Sequence, residues 1–273
     1  MVRMRMLQLG KYYYPHVGGI ENHLHQLTTE LVKLGNKVTA IVSNDKPKFS
    51  HENVSGVEVI RYPLFATLLN APISLFKPID YRPFDIVHVH LPNPIASIHA
   101  LMNYKKNLVV TYHSDIIKKG IISEILNFFY TRLILFPLLD RAKYVIATSP
   151  NYVSGSKILQ KYKKKITVVP YSIDPKLFQL DGNGKKLLTK LKKQFSNKKI
   201  LLFVGRLIPY KGLEYLIKAM PEVVKKHDDV ELLIIGDGIL KPELQALAKE
   251  LDMNDHVRLL PGMPNQKLSP YYN

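Results

Sequence analysis

The sequence predicts an α/β protein built on parallel sheets, arranged as two successive Rossmann-like halves. Strand-length runs such as 108–112, 144–148 and 200–204 are almost continuously apolar, as strands covered on both faces are. Helical or apolar segments lie between most of the strands, which is the pattern of βαβ units. Glycine-bearing turns stand where strand hands over to helix, at Gly18-Gly19, at Gly205 with Gly212, and at Gly236-Asp237-Gly238.

Taken in order, residues 4–9 alternate weakly and end at Gly10, and an aromatic turn leads on to Gly18-Gly19. Ile20, Leu24, Leu27, Leu31 and Leu34 then step by four and three residues, which predicts a helix, with Gly35 just past its end. A strand at 37–42 completes a βαβ unit. The distance from Gly10 to Gly18 does not fit G-x-G-x-x-G, so the dinucleotide fingerprint is not supported. Two readings of Gly18 and Gly19 stay open: a phosphate or sugar meeting bare backbone, or a tight turn that needs positive φ.

Further strands are predicted at 57–62, 85–90, 108–112, 144–148 and 167–169. Ligands of such sheets bind at the carboxyl ends of the strands. There stand His88 and His90, on one face by period two, and the run Thr111-Tyr112-His113-Ser114-Asp115. A metal site of His88, His90 and His113 lacks a clear carboxylate partner, and His113 as a polar contact to a ligand is the favoured reading. A structural histidine is its alternative.

The character changes after Pro170-Tyr171-Ser172-Ile173-Asp174-Pro175. The expected domains are 1–175 and 176–273, the second beginning with a basic helix at 185–195. A strand at 200–204 then runs into Gly205-Arg206 and Lys211-Gly212, ahead of a helix at 213–226. Arg206 and Lys211 meet the unpaired N–H groups of that helix, a corner suited to an anion. The strand 230–235 ends in Gly236-Asp237-Gly238, which serves either a nucleotide's approach or a plain strand-to-helix turn. A helix at 241–251, a strand at 256–260 and a turn at 261–263 follow.

Composition narrows the function classes. The chain has 273 residues and no cysteine, which removes thiolate chemistry and disulfides and fits an intracellular, cytoplasmic protein. Residues 1–9 lack the apolar core of a signal peptide and read as mature protein. The formal charge is +17, and residues 157–199 alone hold thirteen lysines against two aspartates. That patch is a solvated face or a contact for anionic membrane, while nucleic acid is disfavoured because no recognition motif or aromatic platform accompanies it. The apolar segments 64–79 and 121–139 are candidates for peripheral membrane contact. The second is flanked by Lys118, Lys119, Arg141 and Lys143, and reads equally as a core helix.

The ordered set Gly18-Gly19-Ile20-Glu21, Tyr112-His113-Ser114-Asp115, Val169 to Asp174 with Phe178, Val204-Gly205-Arg206-Leu207 with Lys211-Gly212, and Ile235-Gly236-Asp237-Gly238 resembles the retaining glycosyltransferases of family four. The resemblance implies a GT-B-like fold of two Rossmann-type domains, the second incomplete. It implies transfer of a sugar from a nucleoside-diphosphate-sugar donor to a lipid- or glycan-type acceptor, with retention and no cofactor or required metal. Arg206, Lys211 and His113 would carry the chemistry, the first two on the diphosphate and His113 on the sugar. Gly18, Gly19, Gly205, Gly236, Asp237 and Gly238 would line the donor and substrate site.

Two departures from the family pattern stand out. Tyr171-Ser172 replaces the more usual Asn-Gly before Ile-Asp. The family's Glu-x7-Glu segment, about thirty residues beyond the Pro-Gly turn, is not reached before Asn273. The expectation is therefore a fragment or truncated product with impaired transfer, or in the alternative an inactive module that still binds nucleotide-sugar or diphosphate.

Overall fold

A computed structural model describes residues 3–16, 18–68, 71–74, 76–103, 107–116, 120–173, 175–264 and 267–273. Lys118, Lys119 and Asp174, named above, lie outside the described residues. The chain divides into two units, Met1–Ser172 and Ile173–Asn273, close to the expected boundary at 175.

The first unit opens with β1 (Arg5–Leu9), α1 (Gly19–Lys33) and β2 (Lys37–Ser43), a parallel βαβ unit with Leu7 opposite Thr39. β3 (Ser50–Val54) and β4 (Val57–Tyr62) form a hairpin, and β5 (Ala66–Leu68) pairs with β6 (Ala71–Ile73) in a separate two-stranded sheet. There follow β7 (Ile86–Leu91), α2 (Pro94–Asn103), β8 (Asn107–Tyr112), α3 (Ile121–Tyr130), a π-helical turn (Thr131–Leu135) and α4 (Phe136–Arg141). β9 (Tyr144–Ala147), α5 (Pro150–Gly155), α6 (Lys157–Gln160) and β10 (Ile166–Val168) close the unit. Among the described residues, eight strands form one sheet in the order β10-β9-β8-β7-β1-β2-β4-β3, parallel except for β3 on β4.

Alternate residues along the central strands feed two apolar layers. Leu7, Leu9, Val87, Val89 and Val110 face Leu138 and Leu139, whereas Met6, Ala40 and Val42 join Leu24 of α1 on the other side. Covering both faces is what allows these strands to be continuously apolar. Between β1 and β7 the strand order reverses direction, and such a switch point leaves a crevice at the strand ends.

Two sequence expectations are corrected. β3 was not expected, because Ser50-His51-Glu52-Asn53 carries no apolar pattern; the strand exists through its turn, in which Ser55 and Gly56 both have positive φ (53° and 85°), the geometry that twists with a hairpin. Leu34, counted on the apolar face of the first helix, is 58% exposed at its C-cap. The buried line on α1 is Glu21, Leu24 and Thr28 instead. Thr28 bonds the Tyr13 hydroxyl at 2.7 Å and donates to the Leu24 carbonyl at 2.8 Å, which satisfies a polar side chain in the core.

The second unit holds α7 (Gly182–Gln194), β11 (Lys199–Val204), α8 (Leu213–Lys226), β12 (Val230–Ile235), α9 (Lys241–Glu250), β13 (Val257–Leu260) and α10 (Ser269–Tyr272). Asp181 caps α7 by accepting from the Gly184 N–H at 2.6 Å, so this basic helix begins ahead of the expected 185. Among the described residues, β11, β12 and β13 form a parallel sheet in sequence order. Leu213, Ile217 and Met220 of α8 and Leu244 of α9 pack on Leu232 and Ile234.

The loop that leads from β1 to α1 is held from within the unit. Arg61, its side chain 9% exposed, donates to the carbonyls of Tyr13 (3.1 Å) and Tyr14 (2.5 Å) and to Glu52 (2.6 Å). Arg61→Ala would remove the donor of the Tyr14 carbonyl and of Glu52, the Tyr13 carbonyl keeping the His16 N–H, and a urea melt is expected to show a loss of about 2–4 kcal/mol. A loss below about 0.5 kcal/mol would mean that the loop is held by something else.

Candidate active site

In the first unit, the residues singled out by sequence gather at the carboxyl ends of β7, β1 and β8. His90 on β7 reaches across the switch point to Gln8 on β1, with Nε2 2.9 Å from Oε1. Its Nδ1 lies 3.1 Å from Nε2 of His113, just beyond β8. The other nitrogen of His113, Nδ1, lies 2.5 Å from the hydroxyl of Tyr171. His88 pairs with the Thr111 hydroxyl at 2.7 Å, and the ring of His23, on α1, sits 5.5 Å from that of His113 and 4.6 Å from Tyr171.

These contacts define one pattern of protons. Gln8 Oε1 accepts, so His90 carries its proton on Nε2 and its Nδ1 accepts from His113 Nε2–H. His113 Nδ1 then accepts from the Tyr171 O–H. Every member is satisfied with neutral rings, as burial demands: His88 and His113 are each pushed down to about 3, mainly by desolvation with smaller contributions from neighbouring imidazoles, and His90 is held well below its ordinary value for the same causes. The three imidazoles therefore bond to protein groups rather than converge on one point. Among the described residues, no group of three or more His, Cys, Asp or Glu side chains is placed to hold a metal ion.

His113 is buried and both of its nitrogens are engaged. Tyr171 is the exchangeable partner, because it is 46% exposed and can turn to water, whereas His90 is 1% exposed and has no alternative. Asp115 accepts from the hydroxyls of Tyr112, Tyr152 and Ser156. Gly18 is the N-cap of α1 in extended conformation, φ −175°, so positive φ is not its reason for being glycine. A Cβ there would stand 2.0 Å from the Glu21 carboxylate, while one on Gly19 would meet nothing within 4 Å.

In the second unit, Gly205, Arg206, Lys211, Gly236, Asp237 and Gly238 all lie at the carboxyl ends of β11 and β12. The loops there are laced together: Gly205 N–H donates to the Ile235 carbonyl (3.0 Å), Leu207 N–H to that of Asp237 (3.0 Å), and Gly236 N–H to that of Leu260 (3.1 Å). A Cβ on Gly236 would lie 1.8 Å from the Gly205 carbonyl oxygen, and one on Gly238 2.2 Å from that of Leu207. Close loop packing thus requires both glycines, with or without a ligand. Asp237 accepts from Lys241 at 2.8 Å and from the Gly262 N–H at 2.7 Å, which hold its carboxyl below the usual range in that order of effect. It ties the β12 loop to the β13 loop.

Arg206 and Lys211 differ from other cations of the second unit. Lys241, beside them at the carboxyl end of β12, is paired with Asp237, and Lys199 and Arg258, nearer the amino ends of their strands, are paired with Asp229 and Glu231. Among the described residues, Arg206 and Lys211 have no such partner; they flank Tyr210, Arg206 Nη2 donating to its hydroxyl at 3.3 Å and Lys211 Nζ standing 5.3 Å from its ring centre. Gly212 follows at φ 66° and begins α8 without a side-chain cap. Two exposed, uncompensated charges beside an uncapped helix N-terminus form a site for an anion.

The mostly parallel α/β fold is that of the GT-B glycosyltransferases, and solved structures agree. The Anabaena protein HepE, in complex with UDP and glucose, superposes with a TM-score of 0.67 at 18% identity, over 97% of this chain and 71% of that one. The chain belongs to glycosyltransferase family 4: residues 17–177 match the Glycosyltransferase Family 4 profile, and residues 187–273 match Glycosyl transferases group 1. It is 30% identical over 262 residues to the D-rhamnosyltransferase WbpZ of Pseudomonas aeruginosa, covering 92% of this chain and 64% of that protein. It is 28% identical to the O-antigen chain mannosyltransferase C of Escherichia coli, covering 97% of this chain and 68% of that one.

Sequence reasoning missed Gln8, His23 and Tyr171. The departure at Tyr171-Ser172 was the one available signal. Because the buried histidines are neutral when folded and take up protons at about 6.5 when unfolded, the unfolded state binds more protons between about 6.5 and the folded value of about 3. Stability therefore falls as pH drops below about 6.5. Urea midpoints measured from pH 7 to 4 should decline, and less steeply in His88→Gln; identical slopes would contradict the buried neutral cluster.

Proposed function

We propose that the chain serves transfer of a sugar from a nucleoside-diphosphate donor to a glycan- or lipid-type acceptor, with retention at the anomeric carbon. The observation that carries this reading is the pair Arg206 and Lys211 at the carboxyl end of β11, with no carboxylate partner among the described residues, in a chain of family 4. As the bond from sugar to phosphate breaks, negative charge collects on the departing diphosphate. Cations fixed in place ahead of that event stabilise it without reorganisation. No metal is assigned a part, since the two side chains supply the positive charge. The names of WbpZ and of mannosyltransferase C, and the UDP and glucose bound by HepE, support a hexose donor of this class.

His113 takes a supporting place on the sugar. A sugar hydroxyl would donate to Nδ1 in exchange for the Tyr171 hydroxyl, leaving the buried bond to His90 undisturbed. Tyr171 is then a competitor for that nitrogen. Removing it by Tyr171→Phe should tighten donor binding by about two- to fivefold, the worth of one neutral hydrogen bond. Calorimetry with the best-binding donor reads the change, and a weakened donor would show that Tyr171 supports the sugar instead.

The diphosphate assignment is tested with UDP-, GDP- and ADP-sugars by thermal shift and calorimetry. Arg206→Ala and Lys211→Ala should each weaken the bound donor about 10- to 100-fold, the worth of a charge-assisted hydrogen bond. Lys192→Ala, in the basic helix α7, serves as the control. Equal affinity in all three variants would remove the assignment. Binding without transfer or hydrolysis would favour the binding-module alternative.

A further inference from the structure

From Ile121 to Arg141 the chain is one continuous helical stretch, long and apolar enough by composition to cross a membrane. Its second half is committed elsewhere. Leu135, Leu138 and Leu139 are buried with Leu108, Val110 and Val145 in the core of the first unit, and α2 packs against the π-helical turn and α4. The stretch up to Leu133 projects apolar side chains outward: Ile121, Ile122, Phe128 and Leu133 are 77%, 76%, 64% and 64% exposed, and Ile125 and Phe129 are exposed beside them. Among the described residues, nothing covers this face.

The rim of the face is basic. Residues 121–165 contain eight Lys and Arg against two acids, Glu124 and Asp140. The lysines run alongside the helix. Lys157 shares a cleft with Asn127 and Thr131, Lys161 lies 4.6 Å over the Phe136 ring, and Lys165 bonds the Leu139 carbonyl at 3.2 Å. Lys161, Lys163 and Lys164 are exposed.

We infer that this half-helix is a docking surface for an anionic phospholipid bilayer, with its Ile and Phe side chains in the boundary between headgroups and acyl chains and the lysine row on the headgroups. The exposed part, residues 121–133, rises only about 20 Å at 1.5 Å per residue. That falls short of a hydrocarbon core of about 30 Å, and the remainder of the helix is held in the protein core, so the exposed part lies in the interface rather than spanning it. Charge selects the partner. A second copy meeting this face symmetrically would oppose one basic rim to another, whereas anionic lipid neutralises it. Nucleic acid would use the lysines but leave the Ile and Phe side chains in water. The inference is independent of the glycosyl-transfer reading.

The test is co-sedimentation of the whole chain with vesicles of phosphatidylcholine, with and without phosphatidylglycerol. Binding is expected to the phosphatidylglycerol vesicles, falling at least tenfold on phosphatidylcholine alone and in about 1 M salt, where the Debye length shrinks to about 3 Å. The double change Phe128→Gln with Phe129→Gln should abolish most binding. The triple change Lys161→Gln, Lys163→Gln and Lys164→Gln should cost about fivefold per lysine. All these residues are exposed or half-buried at the surface, and unchanged thermal melting confirms that the variants are folded. Absence of vesicle binding, or binding indifferent to headgroup charge or to the phenylalanine pair, overturns the inference. So does a parent chain that forms a dimer which the phenylalanine change dissociates while vesicles are ignored.

Discussion

Parallel pairing governs where chemistry can occur in this molecule. A parallel strand cannot turn back directly, so each connection must cross over through a helix, and every strand-to-helix loop emerges at the same edge of its sheet. In the first unit that edge receives Gln8, His90 and His113 from three neighbouring strands. In the second it receives the loops after β11, β12 and β13, laced by backbone hydrogen bonds. Gly236 and Gly238 are what permit that lacing, since a Cβ at either would collide with a carbonyl oxygen of the β11 loop.

The two edges use polarity in opposite ways. In the first unit, imidazoles are buried and can remain only as neutral rings that satisfy one another, ending at Gln8 on one side and Tyr171 on the other. Desolvation keeps them uncharged. In the second, Arg206 and Lys211 stand in water with no carboxylate partner among the described residues, while Lys241 of the adjoining loop is paired with Asp237. The first arrangement fixes orientation and tautomer. The second stores electrostatic potential for an incoming anion.

Much of this was legible in the sequence, for stated reasons. The strands at 108–112, 144–148 and 230–235 announced themselves because burial on both faces leaves no room for polar alternation, and Arg206 and Lys211 because a glycine-broken turn between a strand and a helix concentrates charge at the helix start. β3 was not legible, since an edge strand held by its hairpin turn needs no apolar pattern. The bond between His113 and Tyr171 joins residues 58 apart in sequence, and that between His90 and Gln8 depends on strand order, which local periodicity does not encode. The partners of Asp237 were not legible either: it accepts from Lys241 and from the Gly262 N–H, and the second comes from another strand's loop.

The claim on which the account rests is that Arg206 and Lys211 hold a diphosphate. Calorimetric comparison of nucleoside diphosphate with the monophosphate of the same base, on the unmodified chain, tests it most directly. Two cations on two phosphates predict that the diphosphate binds at least about tenfold more tightly, and that inorganic pyrophosphate competes with it. Equal affinity for monophosphate and diphosphate, with no competition by pyrophosphate, would contradict the account.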